Sequence, residues 1–483
     1  MTSRVRASAA PPRRVTRGRA PTSVAPNLRS LSGAVVVLVD GEHHPPVLQA
    51  VIDELHADGA NVIGAADLGG DEKRSAGVTG LSVETVRAEG PLASLLAALD
   101  RFDPDLVADL SDAPIVDGAT RELLAAHALA RGIEYRGADF VFSPPPRPRV
   151  ATKPTLAVIG TAKRSGKTAI AAATARALVA AGRPPVLVTM GRGGPPDPEL
   201  VDPTATTLDA RSLLERARAG RHAASDHLED ALTADVVTIG TRRAGGGLAG
   251  APASSTFRDG VELANRRRET MMVLEGSGTA IPPVHADATV CVVPGAASPD
   301  AALAHLGAVR LLLADLVAVT VSPVPSPTGA PGGATEIPDR SALHPELLDR
   351  IRSLVPEVPV LHTVLRVQPL APVEGRTVFF ATTAPGPVAA WQASELASRH
   401  RAQVTGWSGE LARRDRLERD LATAKAEMLV TELKAGAVEI AVEAALDRGM
   451  EVVFCDNRPD PPDEFDDAIA VLADRAVDAF ETR

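Results

Sequence analysis

The sequence predicts an α/β fold with mainly parallel sheets. Three observations carry that prediction. Strand-sized apolar runs alternate with helix-sized amphipathic segments from Ala34 onward, a strand–turn–helix unit spans residues 155–181, and polar loops rich in Gly or Arg follow several of the strand-like runs. Alternation at this spacing leaves room for crossover helices, so neighbouring strands run parallel and carry helices on both faces.

In chain order, residues 1–31 contain seven Arg and no acid, with no apolar stretch of signal-peptide type, and read as a disordered basic tail. A Rossmann-like domain is predicted over 32–142. It has strands at AVVVLVD, NVIGAAD and LVADLSD and a last one near Phe140, with helices at PVLQAVIDELHADG, PLASLLAALDRF and GATRELLAAHALARG. The proline-rich stretch 143–154 is a linker. A second domain, 155–370, carries strands at Thr155–Ile159, VLVTM, VVTIG, MMVLEG, ATVCVV and LVAVTVSP. The Pro/Gly-rich interval Pro323 to Pro338 interrupts it before a helix around His344 to Leu354. A smaller α/β unit is expected over 371–483. Its parts are a strand TVFFATT, a helix from near Val388, a long charged helix from Leu411 to Arg448 that bears Lys425 and Lys434, and a strand EVVFCDN.

Composition excludes several roles. With the tail's seven positive charges set aside, the net charge of −10 becomes −17 on the rest, and aromatic residues make up 2% of the chain. An acidic body without stacking platforms is unsuited to nucleic acid. No apolar run approaches the length that spans a bilayer, so no membrane partner is expected. Cys291 and Cys455 sit far apart in apolar runs, as buried thiols of a reducing, cytoplasmic setting, and have no metal-ligand spacing.

Residues 160–168, GTAKRSGKT, form a phosphate-binding loop between an apolar strand and an alanine-rich helix. Backbone N–H groups of such a turn and the helix N-terminus cradle phosphate oxygens. Gly160, Thr161, Ser165, Gly166, Lys167, Thr168 and Ala169 are therefore the expected nucleotide contacts, with Lys167 on the β- and γ-phosphates and Thr168 on Mg2+. Five residues separate Gly160 from Gly166, one more than in the standard loop. Lys163 and Arg164 add cations. Lysine is scarce, six residues against 45 Arg, so each one that persists marks a candidate point-charge role.

Other strand ends carry candidate ligands. GRGGPPDPE follows VLVTM with Arg192, Asp197 and Glu199; TRRAGGGLAG follows VVTIG with Arg242 and Arg243; and MMVLEGSGTAIPP ends a strand at Glu275. Loops at the carboxyl ends of parallel strands share one face, so these cations converge on one crevice. One nucleotide does not need so many, which predicts a second polyanion beside it. RHAASDHLEDAL offers His222 for phosphate binding or proton transfer, with a helix-start role for Ser225 or Asp226 as the alternative. In the first domain Asp40, Glu42, His43 and His44 form a titratable cluster at a strand-to-helix turn, with Asp109 and Asp112 at a later strand end. Lys434 faces solvent or points into the crevice.

The GT-x4-GKT loop resembles that of dethiobiotin synthetase, and EGSG after a strand is similar to that superfamily's E-G-A-G-G segment. The resemblance implies that Glu275 joins Thr168 in holding Mg2+, with Asp197 a further candidate. Taken together, DGEHHPP, GTAKRSGKT, MGRGGPPDPE, HAASDHLEDAL, TIGTRRAGGG, EGSGTAIPP, FFATTAP, ELKAGAVEIA and VVFCDNRP resemble the segment series of the cyclic 2,3-diphosphoglycerate synthetase family. That resemblance implies an ATP- and Mg2+-dependent ligase, with Lys167, Lys163, Arg164 and Glu275 catalytic. It would bind polyanionic 2,3-diphosphoglycerate through Asp40, Glu42, His43, Arg192, His222, Arg242, Arg243 and Lys434, in a homodimer. Two alternatives stand beside it: a GTPase-type switch or metallochaperone, for which no Asn-Lys-x-Asp segment is present and TVSPVPSP stands at the base side, and a dethiobiotin-synthetase-like ligase acting on another acid.

Overall fold

The computed structural model describes residues 23–70, 72, 80–321 and 343–483. Most of the basic tail, the interval Pro323 to Pro338 and TVSPVPSP beyond Val321 lie outside them. The described chain is α/β and divides into two compact units, residues up to 117 with 134–141, and residues 118–133 with 142–483.

In the first unit β1 (Ala34–Val39), β2 (Asn61–Asp67), β3 (Thr85–Arg87), β4 (Leu106–Asp109), β5 (Glu134–Arg136) and β6 (Val141–Phe142) form a sheet of order β3-β2-β1-β4-β5-β6. Pairing from β3 through β5 is parallel throughout. Strand β1 is central and buried on both faces, which is why it reads as an unbroken Val/Leu run. The tail reading is corrected for residues 23–31. Pro26–Leu28 form a short 3-10 helix, and Val24, Leu28 and Leu31 pack into the core of this unit with Val37 and Ile52.

The second unit is built on one long sheet whose strands are β7 (Thr155–Gly160), β8 (Pro185–Gly191), β9 (Glu199–Val201), β10 (Thr238–Ala244), β11 (Ser254–Ser255), β12 (Met271–Glu275), β13 (Ala288–Pro294), β14 (Leu316–Val321), β15 (Val360–Pro369), β16 (Thr377–Ala381), β17 (Gln403–Ser408), β18 (Met428–Thr431) and β19 (Glu451–Asp460). Their order is β11-β10-β8-β12-β7-β13-β14-β15-β19-β18-β16-β17, with β9 on the side of β10. Strands β10 through β15 are parallel, β15 and β19 are antiparallel, and β19 through β17 are parallel again. Because of that one antiparallel joint, the carboxyl ends of β16 and β18 point back towards those of β7 and β12. The site lies where they meet.

The alanine-rich helix Lys167–Ala180 is covered on nearly all sides. Ala171, Ala172 and Ala175 are small enough to let it sit against β7 and β12, while Phe465, Ile469 and Leu472 of the final helix Pro462–Glu481 close over it. Each such large side chain contributes roughly 1.5–3 kcal/mol by leaving water.

The long charged helix expected from Leu411 to Arg448 is not there. A helix spans Arg414–Ala422, β18 follows, and a π-helical turn, Ala437–Val442, leads into the helix Glu443–Asp447. Met428, Leu429, Val430 and Thr431 are all buried, and a segment that must be apolar on every side cannot belong to a surface helix. Lys434 therefore stands at a strand end, and Lys425 precedes β18 rather than sharing a helix with it. Strands β3, β5, β9, β11, β15 and β17 were also unpredicted.

Candidate active site

The site grows from the loop joining β7 to the helix Lys167–Ala180. Gly160 has no room for a side chain, since a Cβ would lie 2.9 Å from both the Lys167 Cδ and the Val292 carbonyl oxygen. Gly166 has a φ of +87°, and a Cβ there would meet Leu365 Cδ1 at 2.4 Å. The loop thus folds tightly over the helix start and under β15. Lys167 is 7% exposed and donates to the Ala162 carbonyl at 2.7 Å and Ser165 Oγ at 3.1 Å. Burial lowers its pKa to about 8, against the pull of Glu275 and Asp226.

Around this loop opens a cavity of ≈ 560 Å³. Lys163, Arg164, Ser165, Gly166, Lys167, Thr168 and Ala169 line it, as do Arg192, His222, Glu275 and Lys434. Arg192 approaches Gly278, where a Cβ would come within 2.5 Å of its Nη2, and the His222 ring lies over Gly193. Gly160 and Thr161 sit beneath the loop at the end of β7.

Other expected residues do not line this cavity. Arg242 and Asp197 are exposed and outside the cavity lining. In β10 successive side chains alternate faces, so Arg242 turns outward where Arg243 turns in. Arg243 is not a lining residue either. It is buried beside Arg192, donating to the Gly245 and Ser277 carbonyls, and burial followed by the Arg192 charge lowers its pKa. Asp40, Glu42 and His43 belong to the first unit and are not among the lining residues. There Asp40 is fully buried and accepts from the Glu42, His43 and Asp112 backbone N–H groups, so it organises its turn. Glu199 anchors structure, held far below the usual carboxylate range by His227 and by a two-pronged pair with Arg216 at 2.5 and 2.7 Å.

A buried acidic group was missed. The helix Asp226–Ala234 buries Glu229, Asp230 and Thr233 and keeps half-buried Asp226 on the cavity, an i, i+3, i+4, i+7 stripe whose first three members were readable as a polar face in HAASDHLEDAL. Glu275, 1% exposed, is pushed up to about 7 by burial and by the Asp226 charge, although the Thr168 hydroxyl donates to it. Its Oε2 has no partner among the described residues. Asp230, 0% exposed, is raised well above the carboxylate range by burial and then by the neighbouring Glu275 carboxyl. Lys434 Nζ stands 2.8 Å from Glu229 Oε1. Burial raises Glu229 to about 8 while the contact raises Lys434. The rise at Lys434 is the firmer direction, because its ammonium faces both Glu229 and Glu432, whereas Glu229 is pulled both ways.

Among the described residues no three His, Cys, Asp or Glu side chains form a ready-made metal cage, and no helix is long and apolar enough to cross a membrane. Cys291 and Cys455 are unbonded and buried, and burial drives both thiol pKa values up.

Comparison with known proteins identifies the family. Family models described as the N-terminal, P-loop and C-terminal domains of cyclic 2,3-diphosphoglycerate synthetase match residues 34–143, 155–328 and 369–458. The chain is 39% identical over 424 residues to the cyclic 2,3-diphosphoglycerate synthetase of Rubrobacter xylanophilus, covering 87% of this chain and 93% of that one. It is 37% identical over 469 residues to the synthetase of Methanothermobacter thermautotrophicus, covering 93% and 98%. With that of Thermococcus gammatolerans the identity is 40% over 434 residues, covering 88% and 93%. The chain belongs to the cyclic 2,3-diphosphoglycerate synthetase family.

Proposed function

We propose that this chain is an ATP- and Mg2+-dependent ligase that closes an intramolecular phosphoanhydride in 2,3-diphosphoglycerate, giving cyclic 2,3-diphosphoglycerate, ADP and phosphate. The observation that carries this reading is the cavity itself. Lys167, Lys163, Arg164, Arg192 and Lys434 surround one space of ≈ 560 Å³, more cations than a nucleotide alone requires.

Two bonds must form in turn. An oxygen of one substrate phosphate attacks the γ-phosphorus of ATP, and the bond to the β-phosphate oxygen breaks to release ADP. An oxygen of the other substrate phosphate then attacks the phosphorus so activated. The ring anhydride forms, and the transferred group leaves as inorganic phosphate. Lys167, charged at neutral pH with its pKa near 8, neutralises the oxygens of the moving phosphoryl group, and Lys163, Arg164 and Arg192 hold substrate charge in place.

Mg2+ fits the residues present. Glu275 Oε2 is buried and unpartnered, the Thr168 hydroxyl is adjacent and Asp226 lines the same cavity, while burial and then the Asp226 charge raise the Glu275 pKa, a cost that a bound dication would offset. Glu275, Thr168 and Asp226 would hold the ion, with phosphate and water completing its shell; bound there it would supply charge neutralisation for the phosphates.

Incubation with ATP, Mg2+ and 2,3-diphosphoglycerate followed by 31P NMR tests the reading. The cyclic anhydride signal is expected, and ATP hydrolysis without it would overturn the substrate assignment. The family reading also implies a cytoplasmic homodimer, so the 50.0 kDa chain should sediment at twice its mass. A monomer at micromolar concentration would count against the dimer.

A further inference from the structure

The part of the cavity wall formed by β15 and the chain after it differs in chemistry from the phosphate loop. It brings Leu365, Val388 and the Trp391 ring together, and a chain of side-chain amides there ends in an unused acceptor. The chain begins at Glu432, which accepts from the Thr383 N–H at 2.9 Å, the Thr383 hydroxyl at 2.9 Å and Asn457 Nδ2 at 2.7 Å. Burial works against its charge, but Lys434 and these donors outweigh it and keep Glu432 ionised. An ionised carboxylate only accepts, so Asn457 must turn its NH2 towards it and its Oδ1 away. That Oδ1 takes a bond from Gln392 Nε2 at 3.0 Å. Gln392 is left with Oε1, which has no partner among the described residues, although the side chain is 5% exposed and lines the cavity. Leaving a buried acceptor unmade is costly, so the wall is built to receive a hydrogen-bond donor.

Of the two molecules in the proposed reaction, only the nucleotide has donors to give. Both hydroxyls of 2,3-diphosphoglycerate are esterified, and at neutral pH its carboxylate and phosphates accept. An apolar wall with an indole ring suits a flat base and disfavours a polyanion. We propose that Gln392 Oε1 accepts a hydrogen bond from the 6-amino group of adenine and thereby selects ATP over GTP, whose O6 would set two acceptors together. This rests on the nucleotide-dependent reading above, and the exclusion of the acid as donor rests on 2,3-diphosphoglycerate being that acid; the binding test itself uses no acid substrate.

The test measures binding of ADP, GDP, purine riboside diphosphate (hydrogen in place of the amino group) and 2′-deoxy-ADP to the full chain by calorimetry, without acid substrate. ADP should bind at least about tenfold more tightly than GDP or the purine analogue, with 2′-deoxy-ADP within about threefold of ADP. In Gln392→Leu, ADP and the purine analogue should come within about threefold of each other. Equal binding of ADP and the analogue to the unaltered chain would overturn the proposal, as would a preference that survives in the variant or a loss confined to the deoxy sugar. If the variant fails to fold, the nucleotide series on the unaltered chain still decides. A chain that prefers ADP as expected yet forms no cyclic product would sink the substrate reading alone, whereas one that binds no nucleotide would sink both.

Discussion

Lys167 and Glu275 face the same cavity with opposite electrostatic problems, and each makes a distinct prediction. Lys167 is a buried cation whose neutral form is favoured by desolvation, and anionic phosphate would restore its charge. Lys167→Ala should cut ATP turnover by at least about 10²–10³-fold with an unchanged circular dichroism spectrum; near-normal turnover would remove the loop from the chemistry. Glu275 is a buried acid whose pKa stands at about 7 instead of 4.5. Its contribution to stability is full below pH 4.5 and is lost as pH rises through 7, because above that the folded protein carries a buried charge that the unfolded chain solvates freely. Glu275→Gln should therefore raise the melting temperature at pH 8 but not at pH 4.5, by an amount equivalent to at most about 3 kcal/mol. It should also raise the Mg2+ concentration needed for turnover. A gain that does not depend on pH would sink the buried-acid account, and an unchanged Mg2+ titration would sink the metal role.

At the scale of elements, β18 with the loop after it separates what the sequence disclosed from what it concealed. The phosphate loop was legible because its Gly spacing, Lys and flanking apolar strand are local requirements that any neighbour must accommodate. Glu275 was legible for the same reason, standing at the end of MMVLE. The strand Met428–Thr431 was not, since four buried residues between charged segments fit a helix equally well until the neighbouring strands β16 and β19 are known. Asp226, Glu229 and Asp230 were visible as a stripe, yet their burial depends on Glu275 and Lys434, far away in sequence. Placing Lys434 at a strand end gives it a testable part in the element. With Glu229 at 2.8 Å and the Lys434 side chain a quarter exposed, Lys434→Met leaves a buried acid without its partner and should cost about 1–3 kcal/mol. The Glu229 pKa, already about 8, would rise further in the variant, so the added loss grows as pH climbs past 8. Denaturation at pH 6 and pH 9 should show the larger deficit at pH 9, and equal deficits would mean that the pair is not coupled.

For the molecule as a whole, the amino-terminal segment shows how a basic composition can hide a structural duty. Net charge and the absence of acids made residues 1–31 look dispensable, yet Val24, Leu28 and Leu31 are each less than a tenth exposed. Ser23 hydrogen-bonds to Glu54, Ser30 N–H donates to Asp58, and Arg29 Nε closes the turn on the Val24 carbonyl. Three buried aliphatic side chains contribute about 3–6 kcal/mol to a unit whose core is small enough to feel the loss. A chain beginning at Ser32 should therefore unfold its first unit at markedly lower denaturant than one beginning at Ser23. The lining of the nucleotide cavity comes wholly from the second unit, so affinity for ADP should change little between the two. Calorimetric scans separate these effects, because a two-unit chain need not melt in one transition. Identical unfolding of the two truncations would return the whole segment to the role of a solvated tail. A fall in ADP affinity that matches the fall in stability would mean that the two units do not behave independently.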